Sequence, residues 1–151
     1  RSRLPERAEA ELGLTYASLT ELVATSDFLC VLLPYAPETD MLINSALLAQ
    51  LKPRAFLVGC GSGSVIDEAA LAEAVLKGHL SGVALDTFEW EPVRPDNPLL
   101  ALARDPEHNV LLTPHTAAGS GDDSESEPWR RADYENITRV LRKEPILHRV
   151  A

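Results

Sequence analysis

The feature that most narrows the fold is an alternation. Short, mostly apolar runs, FLCVLL (28–33), AFLV (55–58), GVAL (82–85) and NVLL (109–112), are separated by stretches with helical signals. FLCVLL is continuous and bounded by Asp27 and Pro34, which predicts a strand buried on both faces. Strands and helices taken in turn predict an α/β fold, a parallel sheet with helices on both faces. The helical stretches carry their own punctuation. Pro5 suits the first turn of a helix over 5–12, and Gly13 stops it. Ser18 and Glu21 form a capping box for a short helix ending near Ser26. Further helices are predicted around 45–51, from a cap at Asp67 to a stop at Gly78, and from Pro128 through WRRADYENITRVLRK. In the last, Trp129, Ile137, Val140 and Leu141 are the candidate apolar contacts.

Composition enters as a set of exclusions. A chain of 151 residues with 45% hydrophobic and 25% charged residues is an ordinary globular domain with room for a core. A net charge of -9 argues against nucleic acid as a partner, because phosphates call for a basic footprint. No apolar run approaches a bilayer span, so no membrane is expected. Cys30 and Cys60 make neither a disulfide framework nor a metal spacing, which predicts a cytoplasmic location. The acidic stretch GSGDDSESEP (119–128) reads as a solvated segment, and no metal is expected. The chain opens at Arg1 without an initiator Met, so it is expected to be a piece of something longer.

The segment VGCGSGSV (58–65) looks like a nucleotide loop but fits no such motif. G-x-G-x-x-G would need glycine where Ser64 stands, and an elbow centred on Ser62 would need glycines where Cys60 and Ser64 stand. Chemistry is better signalled by Asp86, Glu91 and His115, which follow GVAL or NVLL. In a doubly wound sheet the residues just past the carboxyl ends of strands line the ligand crevice. A carboxylate beside a histidine holds one tautomer and raises the imidazole pKa, so the other nitrogen can exchange a proton near neutrality. His79 suits a helix end, His108 and His148 read as surface residues, and Cys30 as a small core hydrophobe. Cys60 lies nearer the crevice, and Trp90 suits either its mouth or a domain interface.

Several blocks, in order, carry a family likeness: SDFLCVLLPYAPETDMLIN (26–44), LLAQLKPRAFLV (47–58), SVIDEAALAEAVLKGHLSGVALDTFEWEP (64–92), NPLL (97–100), NVLLTPH (109–115) and ENITRVL (135–141). With them the chain resembles the D-isomer-specific 2-hydroxyacid dehydrogenases. The resemblance implies a Rossmann-like, doubly wound parallel sheet lacking its first two strands. Residues 1–142 would be the second half of the dinucleotide-binding domain with its exit helix, and 143–151 a tail leading back to a substrate domain. It further implies NAD or NADP as cofactor, a small 2-hydroxy or 2-keto acid as substrate, and possible homodimerisation.

By the same resemblance His115 is the general acid/base, Glu91 its carboxylate partner and Asp86 the contact to the nicotinamide end. Leu33, Pro34 and Thr39 would lie beside the adenosine part. Cys60, Gly61, Ser62, His115, Ala117 and Ala118 complete the expected cofactor lining. Aligned from Asp67, Gly63 matches the family glycine, Gly59 takes the place of its Asn, and Ser62 stands where the substrate-gripping Arg belongs. Serine lacks the charge, fork and reach of a guanidinium. Arg1, Ser2 and Arg3 either meet a 2′-phosphate, favouring NADP, or are solvated residues at a terminus. Two function classes follow: an oxidoreductase, or a weak or inactive dinucleotide-binding regulator. A Ser62 hydrolase is disfavoured by the failed glycine spacing.

Overall fold

A computed structural model describes residues 5–116, 135, 138–139 and 142–144. The elements run α1 Glu6–Leu12, α2 Leu19–Thr25, β1 Phe28–Val31, α3 Ser45–Leu48, β2 Ala55–Gly59, a 3-10 turn Gly63–Val65, α4 Glu68–Leu76, β3 Leu80–Leu85, α5 Pro98–Arg104 and β4 Val110–Leu112. Their ends follow from local chemistry. The Ser18 hydroxyl accepts the Glu21 amide at 3.3 Å, while the Glu21 carboxylate accepts the Ser18 amide at 2.9 Å. Such a cap is worth about 1 kcal/mol. Asp67 caps α4 through the Ala70 amide at 2.9 Å. Gly13 and Gly78 close α1 and α4 with φ of 65° and 67°, where a side chain would be strained.

The four strands form one parallel sheet in the order β1-β2-β3-β4. The register stacks Leu29 on Leu57 and Leu57 on Val83, and Val31 on Gly59 and Gly59 on Leu85. Leu29, Val31, Leu57, Val83 and Leu85 are all buried, in one core with Val65, Ile66, Leu71, Val75, Leu99 and Leu102. Helix α4 packs on β3, α5 packs on β4, and α3 and α5 flank α4.

Two expectations need correction, and one helix was not expected. The first apolar run is not a strand buried on both faces. Its pattern alternates, with Phe28 exposed, Leu29 buried, Cys30 exposed and Val31 buried, and Leu32 and Leu33 leave the strand as exposed residues. Apolar composition sets strand propensity, but burial depends on what the rest of the chain lays over each face. Phe28 instead stacks on Phe56, with ring centroids 4.9 Å apart and planes at 10°. Cys30 is accordingly exposed and not a core residue. Helix α5 was not anticipated. Its signals are Asn97, whose side chain accepts the Leu99 amide, Pro98 in the first turn, and the buried pair Leu99 and Leu102.

The chain divides into two compact units, Arg1–His115 and Thr116–Ala151. In the second, Glu135, Thr138 and Arg139 are helical, and Arg139 pairs with Glu135 at 3.6 Å and Glu144 at 3.9 Å. The rest of the predicted last helix, with Trp129, Ile137, Val140 and Leu141, lies outside the described residues, as does the acidic stretch.

Candidate active site

Parallel strands all end on the same side, so the segments leaving them must meet there. A row of hydrogen bonds ties these segments together. Cys60 and Gly61 donate their amides to the Val31 carbonyl at 3.1 Å, and Ser62 donates to Leu33 at 2.8 Å. Asp86 donates to Gly59 at 3.0 Å, the Thr87 hydroxyl to Gly61 at 2.7 Å, and His115 to Asp86 at 2.9 Å. The row runs from the end of β1 to the end of β4. It brings Leu33, Gly61, Ser62, Asp86 and His115 to one edge.

The glycine segment has its explanation here. A Cβ on Gly61 would lie 2.5 Å from the Leu33 carbonyl oxygen, and one on Gly63 would lie 2.0 Å from the carbonyl carbon and oxygen of Phe88. These are backbone atoms that cannot swing aside. The alternate-residue spacing therefore reflects a strand end squeezed between two neighbouring chain segments. Ser62, held between them, places its hydroxyl 3.3 Å from that of Ser64.

His115 is bonded through Nδ1 to Glu91 Oε2 at 2.8 Å, and Glu91 Oε1 accepts the Phe88 amide at 3.1 Å. The hydrogen bond to Glu91, reinforced by its charge, raises the His115 pKa above the ordinary histidine value. The same bond, helped by the Phe88 amide, lowers that of Glu91. With Nδ1 committed, Nε2 is the nitrogen left for proton exchange. The backbone of His115 has φ of 54°, a left-handed conformation that costs a non-glycine residue about 1 kcal/mol. Its amide, bonded to Asp86 and also 3.0 Å from the Thr113 carbonyl, holds it there. Strain of this kind gathers at functional sites.

Asp86 is buried and accepts the Thr113 hydroxyl at 2.6 Å. Thr113 was not singled out from sequence, where a threonine two residues before a histidine is commonplace. The Thr39 hydroxyl lies 2.9 Å from the Pro34 carbonyl and accepts the Ala36 amide at 2.8 Å, fixing the turn after β1. Cys60 is exposed. Ala117 and Ala118 lie outside the described residues.

A cavity of about 280 Å³ is lined by Gly61, Ser62, Gly63, Thr87, Phe88, Glu89, Glu91 and His115. No arginine is among these residues. Arg94 is engaged with Asp96 at 3.0 and 2.9 Å. Arg54 precedes β2, at the opposite end of the sheet, where its amide bonds to His79. A larger cavity of about 450 Å³ lies between α3 and α4, and there His79 Nε2 is 3.1 Å from the Leu48 carbonyl. Among the described residues no group of histidine, cysteine and carboxylate side chains is placed to hold a metal, and no helix is long and apolar enough to cross a membrane.

Comparison with known proteins gives a consistent answer. Residues 1–117 match the family model described as D-isomer specific 2-hydroxyacid dehydrogenase, NAD binding domain. Glyoxylate/hydroxypyruvate reductase B of Pectobacterium carotovorum is 42% identical over 113 residues, 75% of this chain and 34% of that protein. D-3-phosphoglycerate dehydrogenase of Mycobacterium tuberculosis is 42% identical over 118 residues, 78% of this chain and 21% of that protein. The chain thus spans about a third or less of the length of these relatives. Among solved structures, a D-lactate dehydrogenase from Aquifex aeolicus complexed with NAD and lactic acid matches with a TM-score of 0.80 at 28% identity, covering 95% of this chain and 45% of that one. A D-isomer specific 2-hydroxyacid dehydrogenase from Xanthobacter autotrophicus Py2 in complex with NADPH and MES matches with a TM-score of 0.67 at 38% identity, covering 88% and 51%.

Proposed function

This chain belongs to the D-isomer specific 2-hydroxyacid dehydrogenases, and from that premise we propose that it is the cofactor-binding part of an NAD(P)-dependent oxidoreductase interconverting a 2-hydroxy acid and a 2-keto acid. The observation that carries the reading is the 2.8 Å bond between His115 Nδ1 and Glu91 Oε2 on the rim of the Ser62 cavity. In this reading His115 is the acid/base and Glu91 its partner, and the bond supports it. During reduction Nε2 delivers a proton to the carbonyl oxygen as it becomes a hydroxyl, and in oxidation it takes that proton back. Glu91 stabilises the imidazolium and keeps the ring oriented. The raised pKa keeps the acid form populated to a higher pH than an isolated histidine would allow.

The residues at the strand ends fit a dinucleotide. Crowding holds Gly61, just past β2, against the Leu33 backbone, and Leu33, Pro34 and Cys60 beside it are exposed. Asp86 and His115 stand further along the same edge of the sheet. When bound, the nicotinamide supplies or accepts hydride. Asp86 would hold the nicotinamide end of the cofactor, and Leu33, Pro34 and Thr39 would lie beside its adenosine part, as the family resemblance implies. The resemblance that places a substrate-gripping arginine at this turn also assigns its position to Ser62. The cavity then holds hydroxyl, carboxylate and imidazole side chains but neither arginine nor lysine among its described lining residues. The same reading puts the protein in the cytoplasm, gives it no nucleic-acid or membrane partner, and allows a homodimer.

That lining favours a second reading, a dinucleotide-binding regulator with little turnover. Oxidation of NADH and NADPH with a panel of 2-keto acids separates the two. An enzyme turns over at least one keto acid, and His115→Ala lowers its rate by about 10²–10⁴. Tight cofactor binding with no turnover across the panel establishes the regulator instead. Ser62→Arg is expected to raise keto-acid reduction by about two orders of magnitude if the rest of the site is intact.

A further inference from the structure

Glu68 lies outside the acid/base pair, at the first position of α4, yet its carboxylate reaches both ends of the loop that carries Glu91. Oε1 accepts the Glu89 amide at 2.9 Å, and Oε2 accepts the Asn97 side-chain amide at 2.5 Å. Asn97 cannot turn over to do otherwise, because its Oδ1 already accepts the Leu99 amide at 3.0 Å as the cap of α5. One side chain therefore grips residues 89 and 97 at once. It does so from a helix whose residues Leu71, Ala72 and Val75 are fixed in the core.

Between the two grips lies Glu91, bonded back to Phe88 through one oxygen and to His115 through the other. An imidazole–carboxylate bond depends on placement to a fraction of an ångström. A loop that wandered by even one ångström would leave Glu91 short of Nδ1. We propose that Glu68 is a positioning residue for the His115–Glu91 pair, holding the 86–97 loop where Glu91 meets the imidazole. The inference rests on reading that pair as the acid/base.

The surroundings agree with a built contact. Glu68 is partly buried, and burial pushes its pKa up while the bonds to Glu89 and Asn97 pull against that. Asp67 and the Glu89 side chain are the acidic groups that add to the rise, and Arg94 and Asp96 line with Glu68 a separate cavity of about 370 Å³. Two directional donors hold the carboxylate despite this cost. Charge-assisted bonds from amides are the strong kind.

The test exchanges donor and acceptor. In Glu68→Gln the side chain can no longer accept from both partners. Combining it with Asn97→Asp restores the bond with its direction reversed, while Oδ1 of the new residue still caps α5. His115 is titrated by NMR in the parent chain, in each single variant and in the pair. Glu68→Gln is expected to move the His115 midpoint down toward the ordinary histidine value and to speed Glu89 amide exchange about tenfold. The pair is expected to return both to the parent values. A residue that only stabilised the fold would lower the melting temperature without moving the midpoint.

An unchanged midpoint in folded Glu68→Gln overturns the proposal, as does a pair no closer to the parent than the single variant. Should Glu68→Gln not fold, Glu68→Asp carries the same expectation, because one methylene less cannot span both partners. The readout does not need turnover. An inactive parent whose His115 midpoint depends on Glu68 removes the oxidoreductase reading and leaves the positioning role. An active parent whose midpoint ignores Glu68 removes the positioning role alone.

Discussion

Residues 60–67 and residues 86–97 leave neighbouring strands, touch at Gly63 and Phe88, and are held in place by different forces. The first segment is fixed by crowding: Gly61 lies against the Leu33 backbone and Gly63 against that of Phe88, with no room for a Cβ at either. The second is fixed by side chains that reach across it, Glu91 to Phe88 and His115, and Glu68 to Glu89 and Asn97. Crowding gives a rigid wall that tolerates no added volume. Side-chain bonds give a segment whose position depends on charge, and hence on pH. The proposed acid/base pair draws its carboxylate from the second kind, and the wall it faces is of the first.

The comparison can be broken most severely at the contact itself. Gly63→Ala drives a methyl group into the Phe88 backbone and is expected to cost about 3 kcal/mol, read as a fall in the denaturation midpoint. It should displace both segments at once, so that the Phe88 and Glu89 amides lose exchange protection together. Thr113→Val comes next. It takes the hydroxyl from buried Asp86 and is expected to cost about 1–2 kcal/mol by the same measurement.

Glu91→Gln acts on charge without changing volume. In the parent, the His115 pKa is raised in the folded state, so its contribution to stability is complete below the ordinary histidine value and is lost as pH rises through the raised one. That of Glu91 is lowered, so its contribution is present above the ordinary carboxylate value and is lost as pH falls through the lowered one. The variant should flatten both limbs of a stability–pH curve, and the alkaline limb of keto-acid reduction should move to lower pH. If the curve keeps its shape, the second segment is not charge-held and the contrast fails. Ser64→Ala is the mildest change. It removes only a 3.3 Å hydroxyl contact to Ser62 and should alter stability by less than about 0.5 kcal/mol in a thermal melt.

Much of this was legible in the chain. The four strands, the capping box of α2, the Asp67 cap and the Gly78 stop all follow from neighbours within a few residues. His115 and Glu91 were also visible, because the end of a parallel strand is a place that sequence can mark. Other parts were not legible. Helix α5 was passed over, although Asn97 and Pro98 announce it. Cys30 was misplaced because an apolar run does not say which of its faces will be covered. Thr113 and Glu68 carry no mark of their own, since a threonine before a histidine and a glutamate opening a helix are both commonplace.

VGCGSGSV divides most clearly between the two sources of information. The sequence by itself determined that it is neither a phosphate loop nor a nucleophile elbow, because spacing alone excludes both. Likewise the alternation determined the parallel sheet, since the hydrogen-bonding needs of each element are met locally or by the next strand. Only the tertiary structure decided why the glycines stand at alternate positions: Leu33 and Phe88 come from 28 and 25 residues away, and their backbones leave no space. The grip of Glu68 on residues 89 and 97 was decided there too. Packing limits and side-chain bonds between distant segments depend on coordinates that no local pattern encodes.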